Sequence, residues 1–267
     1  MRFSWLVPLV CVFPVFGQGL GLEDTGKDHV QPSLALEHTA VAPGGTTTLA
    51  VRFELSDAWH LYWSNPGDSG DSPAVELALP EGVTAGEVQW PLPFRHVLPG
   101  DLLGHLYEHE LVLLIPLQIG EDVAPGAHPL QAKLGWLVCK DVCLMGDAER
   151  ETTLTVGETA LDAGAKDLFA RARKRLPRAP KPDELQASWE GETLTLRVPG
   201  ATGLVFFPES EPAAADLLRA GKVEGERLVI RFPELGEATR VRGMLEVRRG
   251  DSSEGLRVDV AVPAPKK

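Results

Sequence analysis

The sequence is poor in cysteine and in positive charge, and it lacks a long apolar run. Three cysteines in 267 residues leave little for a disulfide framework or a thiolate metal site to draw on. Lysine and arginine number 26 against 38 aspartates and glutamates, a formal net charge of -12. That balance argues against nucleic acid as a partner, because phosphate binding needs a basic surface. Beyond the N-terminus no stretch reaches the ~18 apolar residues of a membrane helix. The best candidate, LVLLIPLQI at 111–119, is broken by Pro116.

The opening MRFSWLVPLVCVFPVFGQG has a different character. Arg2 gives a thin positive start, Trp5 to Phe16 an apolar run too short for a bilayer, and Val15 and Gly17 the small residues before a cleavage point at Gln18. This is the pattern of a secretory signal peptide over 1–17. Pro8 and Pro14 fit a buried N-terminal strand poorly. Val10 is not the small residue a lipoprotein box wants before Cys11. Cleavage would remove Cys11, leave only Cys139 and Cys143, and place a soluble chain in an oxidising compartment, periplasmic or secreted, where disulfides persist.

From Leu34 to Val156 short alternating segments are separated by turn chemistry. TTTLAVRFEL (46–55), WHLYW (59–63), AVELALP (74–80), ELVLLIPLQI (110–119), HPLQAKLGWLV (128–138) and ETTLTV (151–156) read as strands. Pro43-Gly44-Gly45, Asn65-Pro66-Gly67 and Pro125-Gly126 are among the turns. Many short strands with regular turns predict an all-β sandwich over 31–157. The period then changes: residues 160–177 place Leu161, Leu168, Phe169, Ala172 and Leu176 on one helical stripe, with acids early, bases late and Pro177 as the stop. A linker helix with a solvated basic outer face is therefore expected within 158–180. RAPKPD marks a boundary, and residues 181–262 read as a second, smaller β domain without cysteine or histidine.

Cys139 ends one apolar strand and Cys143 opens the next segment, with Lys140, Asp141 and Val142 between them. Residues flanking so tight a hairpin can face each other with Cα atoms about 4.5–5.5 Å apart, inside the range a disulfide tolerates. Closing so short a ring contributes only about 2 kcal/mol in the chain-entropy account, and a sandwich of this length has core enough without it. A stabilising bond would more usefully join distant strands. The residues alone leave two readings open, a redox-active pair and a structural disulfide. A metal site would need more ligands. His60, His96, His105 and His109, with Glu108 and Glu110, are the available donors, but their spacing follows no compact zinc pattern. No metal and no organic cofactor are expected.

Four blocks, WHLYWSNPGDSG (59–70), LPEGVTAGEVQWPLP (79–93), YEHELVLLIPL (107–117) and GWLVCKDVCLMG (135–146), together resemble the N-terminal periplasmic domain of the DsbD thiol:disulfide interchange family, in the branch that includes ScsB. The resemblance implies an immunoglobulin-like sandwich with one redox-active cysteine pair, mapping onto Cys139 and Cys143, and a second β module after it. It implies that Cys143 carries the mixed disulfide with the electron donor. Lys140 and Asp141 pull a thiol pKa in opposite directions, so local charge does not choose between the cysteines. An aromatic lid over the pair is also implied, and Tyr107 is its candidate. Full-length relatives carry a membrane domain and a thioredoxin-like domain. The chain ends at Lys267 with neither, so the expected donor is a thioredoxin-like or membrane thiol protein on a separate chain, and the expected substrates are oxidised periplasmic proteins. The rival from another class is a non-catalytic binding or chaperone-like sandwich with a structural disulfide.

Overall fold

The computed structural model describes residues 24–210, 216–233 and 238–263. The signal peptide expected at 1–17 lies outside them. Twelve strands come first: β1 (Val30–Leu36), β2 (His38–Ala40), β3 (Thr46–Leu55), β4 (His60–Gly67), β5 (Ala74–Ala78), β6 (Val83–Ala85), β7 (Phe94–Leu98), β8 (Leu102–Glu108), β9 (Glu110–Ile119), β10 (Gly126–Cys139), β11 (Cys143–Val156) and β12 (Ala160–Leu161). One sheet runs β1-β3-β9-β6. The facing sheet runs β11-β10-β4-β8-β7, with β5 also paired to β10. The neighbouring pairs in both sheets are antiparallel. The architecture is all-β, and this first unit is an immunoglobulin-like sandwich.

The strand most apolar in sequence shows how the layers are built. In β9, Leu111, Leu113, Ile115 and Leu117 point into the core between the sheets. Val112 and Leu114, on the other face, join Ala50 of β3 beneath a helix. A strand buried on both faces reads as a continuous apolar run rather than as alternation, which is why 111–119 resembles a membrane segment in sequence.

That helix, α1 (Lys166–Arg175), packs Ala165, Phe169 and Ala172 onto Ala50, Val112 and Leu114. It is shorter than the stripe over 160–177 predicts. Ala160 and Leu161 instead pair with β2, and Leu161 is 70% exposed. Asp162 then turns the chain: its carboxylate accepts from the Gly164 amide at 2.8 Å and its carbonyl from Ala165. The basic end of α1 is partly engaged as well, since Arg173 pairs with Glu37 and reaches Thr48 Oγ1 at 3.2 Å.

The second group of elements is β13 (Gln186–Glu190), β14 (Thr193–Arg197), β15 (Gly203–Pro208), α2 (Leu217–Ala220), β16 (Lys222–Glu224), β17 (Arg227–Arg231), β18 (Arg240–Arg249) and β19 (Ser252–Ala261). Sheets β13-β14-β17 and β16-β15-β18-β19 enclose their own core, including Leu194, Phe206, Ile230, Phe232 and Leu245. All six residues of β15 are buried. Leu204 and Phe206 face this core, whereas Val205 and Phe207 join that of the first unit. Phe207 meets His105 at 5.2 Å between ring centroids, and Asn65 donates its side-chain amide to the Pro208 carbonyl at 2.9 Å. Between the units Arg178 binds Glu184 at 2.6 Å and Glu254 at 2.7 Å, and the guanidinium holds the Glu184 carboxyl down to about 2.

Candidate functional site

Strands β10 and β11 form one long hairpin, paired residue for residue from Gly126 opposite Val156 to Cys139 opposite Cys143. Lys140, Asp141 and Val142 make an exposed loop. The two cysteines are joined by a disulfide, with Cα atoms 4.1 Å apart. Their surroundings differ. Cys143 lies on the edge strand of the sheet and is exposed. Cys139 is one strand further in and 2% exposed. A partner's sulfur therefore has far easier access to Cys143 than to Cys139.

What covers Cys139 comes from β4. Over its middle the second edge of β10 pairs with β5 (Gln131 to Gly135), but at its tip Cys139 pairs with His60. His60 is in turn opposite Glu108 of β8. The register thus sets Cys143, Cys139, His60 and Glu108 in one transverse row across four strands. Side chains directly opposite in neighbouring strands share a face, with Cβ atoms about 4.5–5.5 Å apart. Beside this row Tyr62, Leu106 and Cys139 form a small buried cluster, with Phe94 and Leu137 packed against it.

His60 is 7% exposed, and its Nε2 meets Tyr62 Oη at 3.3 Å. Burial pulls its pKa below that of an ordinary imidazole; the Glu108 charge opposes this and His96 adds to it. Burial also pushes the Tyr62 hydroxyl up. Gly70 accommodates the Tyr62 ring: its φ is +99°, and a Cβ there would lie 2.2 Å from the ring. Asp68 clips the neighbouring hairpin, its carboxylate accepting from the Leu103 amide at 2.6 Å.

Tyr107, the expected lid, is not over the pair. It is 1% exposed in the core between the sheets, donates its hydroxyl to the Pro91 carbonyl at 2.7 Å and stacks with Trp90. Burial raises its pKa well above the usual phenol value. The reason is parity. Tyr107 is opposite the inward-facing Leu61, while its neighbours Leu106 and Glu108 are opposite Tyr62 and His60. The aromatic side chains packed around Cys139 are Tyr62 and Phe94. The segment WHLYW (59–63), expected as a strand, divides its aromatic side chains between different surroundings. Trp63 is core, Trp59 stacks on His29 with ring centroids 3.7 Å apart, and Tyr62 belongs to the site. The alternation of His60 and Tyr62 against Leu61 and Trp63 was the signal available for separating them.

The histidines weighed as metal ligands are dispersed. His105 is buried against Trp63 and Phe207 and donates Nδ1–H to the Asn65 carbonyl at 2.9 Å, whereas His109 sits in a turn with φ of 63°. Among the described residues no three His, Cys, Asp or Glu side chains are grouped as a metal site. A cleft of 770 Å³ lies between the two units, lined by Trp63, Trp90, Pro177, Met244 and Arg257 among others, and does not include the cysteines. The disulfide lies on a sheet edge instead.

Residues 28–155 match the family model described as thiol:disulfide interchange protein DsbD, N-terminal. No curated protein matches the sequence. Among solved structures, the N-terminal periplasmic domain of ScsB from Proteus mirabilis is similar over 88% of this chain and 95% of its own, at 16% identity and a TM-score of 0.59. The DsbD N-terminal domain of Neisseria meningitidis in its reduced form aligns over 50% of this chain and 90% of its own, at 18% identity and a TM-score of 0.31.

Proposed function

Residues 28–155 belong to the N-terminal domain family of DsbD thiol:disulfide interchange proteins, and from that premise we propose that this chain is an exported relay that exchanges electrons through Cys139 and Cys143. A donor thiolate attacks Cys143 Sγ, a donor–Cys143 disulfide forms, and the electron pair of the old bond leaves on Cys139. A second donor thiol releases the donor as a disulfide and leaves both cysteines reduced. The reduced pair then passes two electrons to an oxidised periplasmic protein by the same chemistry in reverse. No organic cofactor is needed. The donor is a thioredoxin-like or membrane thiol protein on a separate chain. The sandwich at 31–157 holds the redox pair, 158–180 is the linker, and 181–262 is a second domain without a redox group of its own.

The observation that carries this reading is the unequal exposure of the two sulfurs, with Cys143 at the sheet edge and Cys139 buried. It supports Cys143 as the attacked atom independently of the family resemblance. An open edge also suits a protein partner better than a small molecule.

Two measurements test the proposal. Equilibration with glutathione buffers reduces a labile pair, whereas structural disulfides hold out below about −300 mV. A Cys139→Ala variant accumulates a covalent adduct with a thioredoxin-like donor and Cys143→Ala does not. A pair that stays oxidised in strongly reducing buffer sinks the relay in favour of a structural bond.

A further inference from the structure

The transverse row through the disulfide has a member the exchange scheme leaves unused. We propose that His60 is the proton partner of Cys139, taking the thiol proton when Cys139 attacks a mixed disulfide on Cys143 and returning it when the exchange runs the other way. This rests on the relay reading above and adds a residue and a pH dependence to it.

The need arises from burial. Attack requires the Cys139 thiolate; Cys139 is 2% exposed and clustered with Tyr62 and Leu106, and apolar burial in general disfavours the charged form of a thiol. Bulk water reaches it poorly, so the base must already be beside it. His60 is its direct cross-strand neighbour. Lys140 and Asp141 are in the exposed loop, and Glu108 is one strand beyond His60. The groups facing the imidazole are Cys139 from β10, Glu108 from β8, Tyr62 on its own strand and His96 from β7. Nε2 is occupied by Tyr62 Oη, and Nδ1 has no hydrogen-bond partner among the described residues.

Burial keeps this imidazole neutral at pH 7, the form that accepts a proton, and Glu108 stabilises the cation once it forms. In the step itself the Cys139 S–H proton moves to the imidazole. The freed sulfur lone pair forms the Cys139–Cys143 bond, the bond from Cys143 to the partner sulfur breaks, and its electron pair leaves as the partner's thiolate. The pair is oxidised, the partner sulfur is reduced, and imidazolium later loses its proton to solvent.

The test uses the full reduced chain and dithiobis(nitrobenzoate) in a stopped-flow instrument. The first thionitrobenzoate is released as Cys143 attacks the reagent, at a rate that depends on reagent concentration. The second is released as Cys139 closes the disulfide, at a rate that does not. In the unmodified protein the second phase is expected to rise with pH through a midpoint below the ordinary imidazole value of about 6.5. His60→Gln and His60→Phe should slow it at pH 7 by on the order of 10²-fold and move its rise toward the thiol range near 8.5. The first phase should be unchanged, which also reports an intact hairpin. A second phase of unchanged rate in both variants, or one slowed with its pH midpoint unmoved, overturns the proposal, because a merely structural histidine would give that result. Release of a single thionitrobenzoate by the unmodified protein would instead overturn the relay reading itself.

Discussion

The first sandwich treats its two outer faces differently. Over β3 and β9 the outer face is apolar, with Ala50, Val112 and Leu114, and α1 lies across it with Phe169 and Ala172 buried. Over β10, β4 and β8 the outer face carries Tyr62, Leu106 and Cys139 in a smaller cluster, and leaves Cys143, Glu108 and Met145 exposed, Met145 at 83%. A face closed by a helix gains stability from burial but offers nothing to a partner. A face that holds a bond to be attacked must keep one sulfur accessible, and its apolar contacts serve the other sulfur. On the outer side of β11 the Gly26 amide bonds the Met145 carbonyl and Val41 bridges Val156, while Cys143, at the hairpin end of this edge strand, stays exposed.

Substitutions on each face sharpen this contrast. The largest effect is expected from Cys143→Ala, which should abolish covalent capture of a donor while leaving the sandwich folded, read by gel shift under non-reducing conditions and by circular dichroism. Next comes the covered face. Phe169→Ala should cost about 3–5 kcal/mol of stability in a denaturant titration, yet leave the rate of disulfide reduction unchanged, because α1 touches neither cysteine. A large redox effect from this substitution would erase the distinction between the faces. Tyr62→Ala is expected to do the reverse: a smaller loss of stability than Phe169→Ala, but faster alkylation of Cys139 in the reduced protein by iodoacetamide, followed by mass spectrometry.

The smallest effects are those of pH. Burial lowers the pKa of both His60 and His105. The unfolded imidazoles bind protons near pH 6.5 while the folded ones resist, so stability should fall as pH drops below that value. His60→Phe should remove part of this slope. At the junction between the units, Glu184 has the opposite chemistry with the same outcome in acid. Its carboxyl is depressed to about 2 by Arg178, so the contribution is complete above the unfolded value and fades as pH falls from there toward 2. Glu184→Gln should flatten that limb of a pH–stability curve.

Much of the fold follows from local pattern. Residues 46–55 and 110–119, read as strands from their apolar spacing, are β3 and β9. Residues 160–177 were harder, because apolar spacing alone cannot tell whether Leu161 continues a helix or pairs in a strand, and pairing with β2 won. The lid assignment failed for a related reason. Tyr107 and Tyr62 are both tyrosines on the paired strands β8 and β4, and what separates them is the face each presents. That depends on how β8 and β4 pair, and a shift of one residue inverts it.

The cysteine pair lies at the local end of this range. A three-residue loop between two strands brings its flanking residues together wherever the hairpin sits, so the sequence by itself determined that Cys139 and Cys143 are close enough to bond. It could not determine which sulfur is buried, or that an imidazole and a carboxylate continue the row. Those depend on β10 passing from β5 to β4 at its last residue, a pairing between segments far apart in the chain. Only the packed sheet sets that register, because it is chosen by the burial of Leu61 and Trp63 on the opposite face, not by anything adjacent to the cysteines.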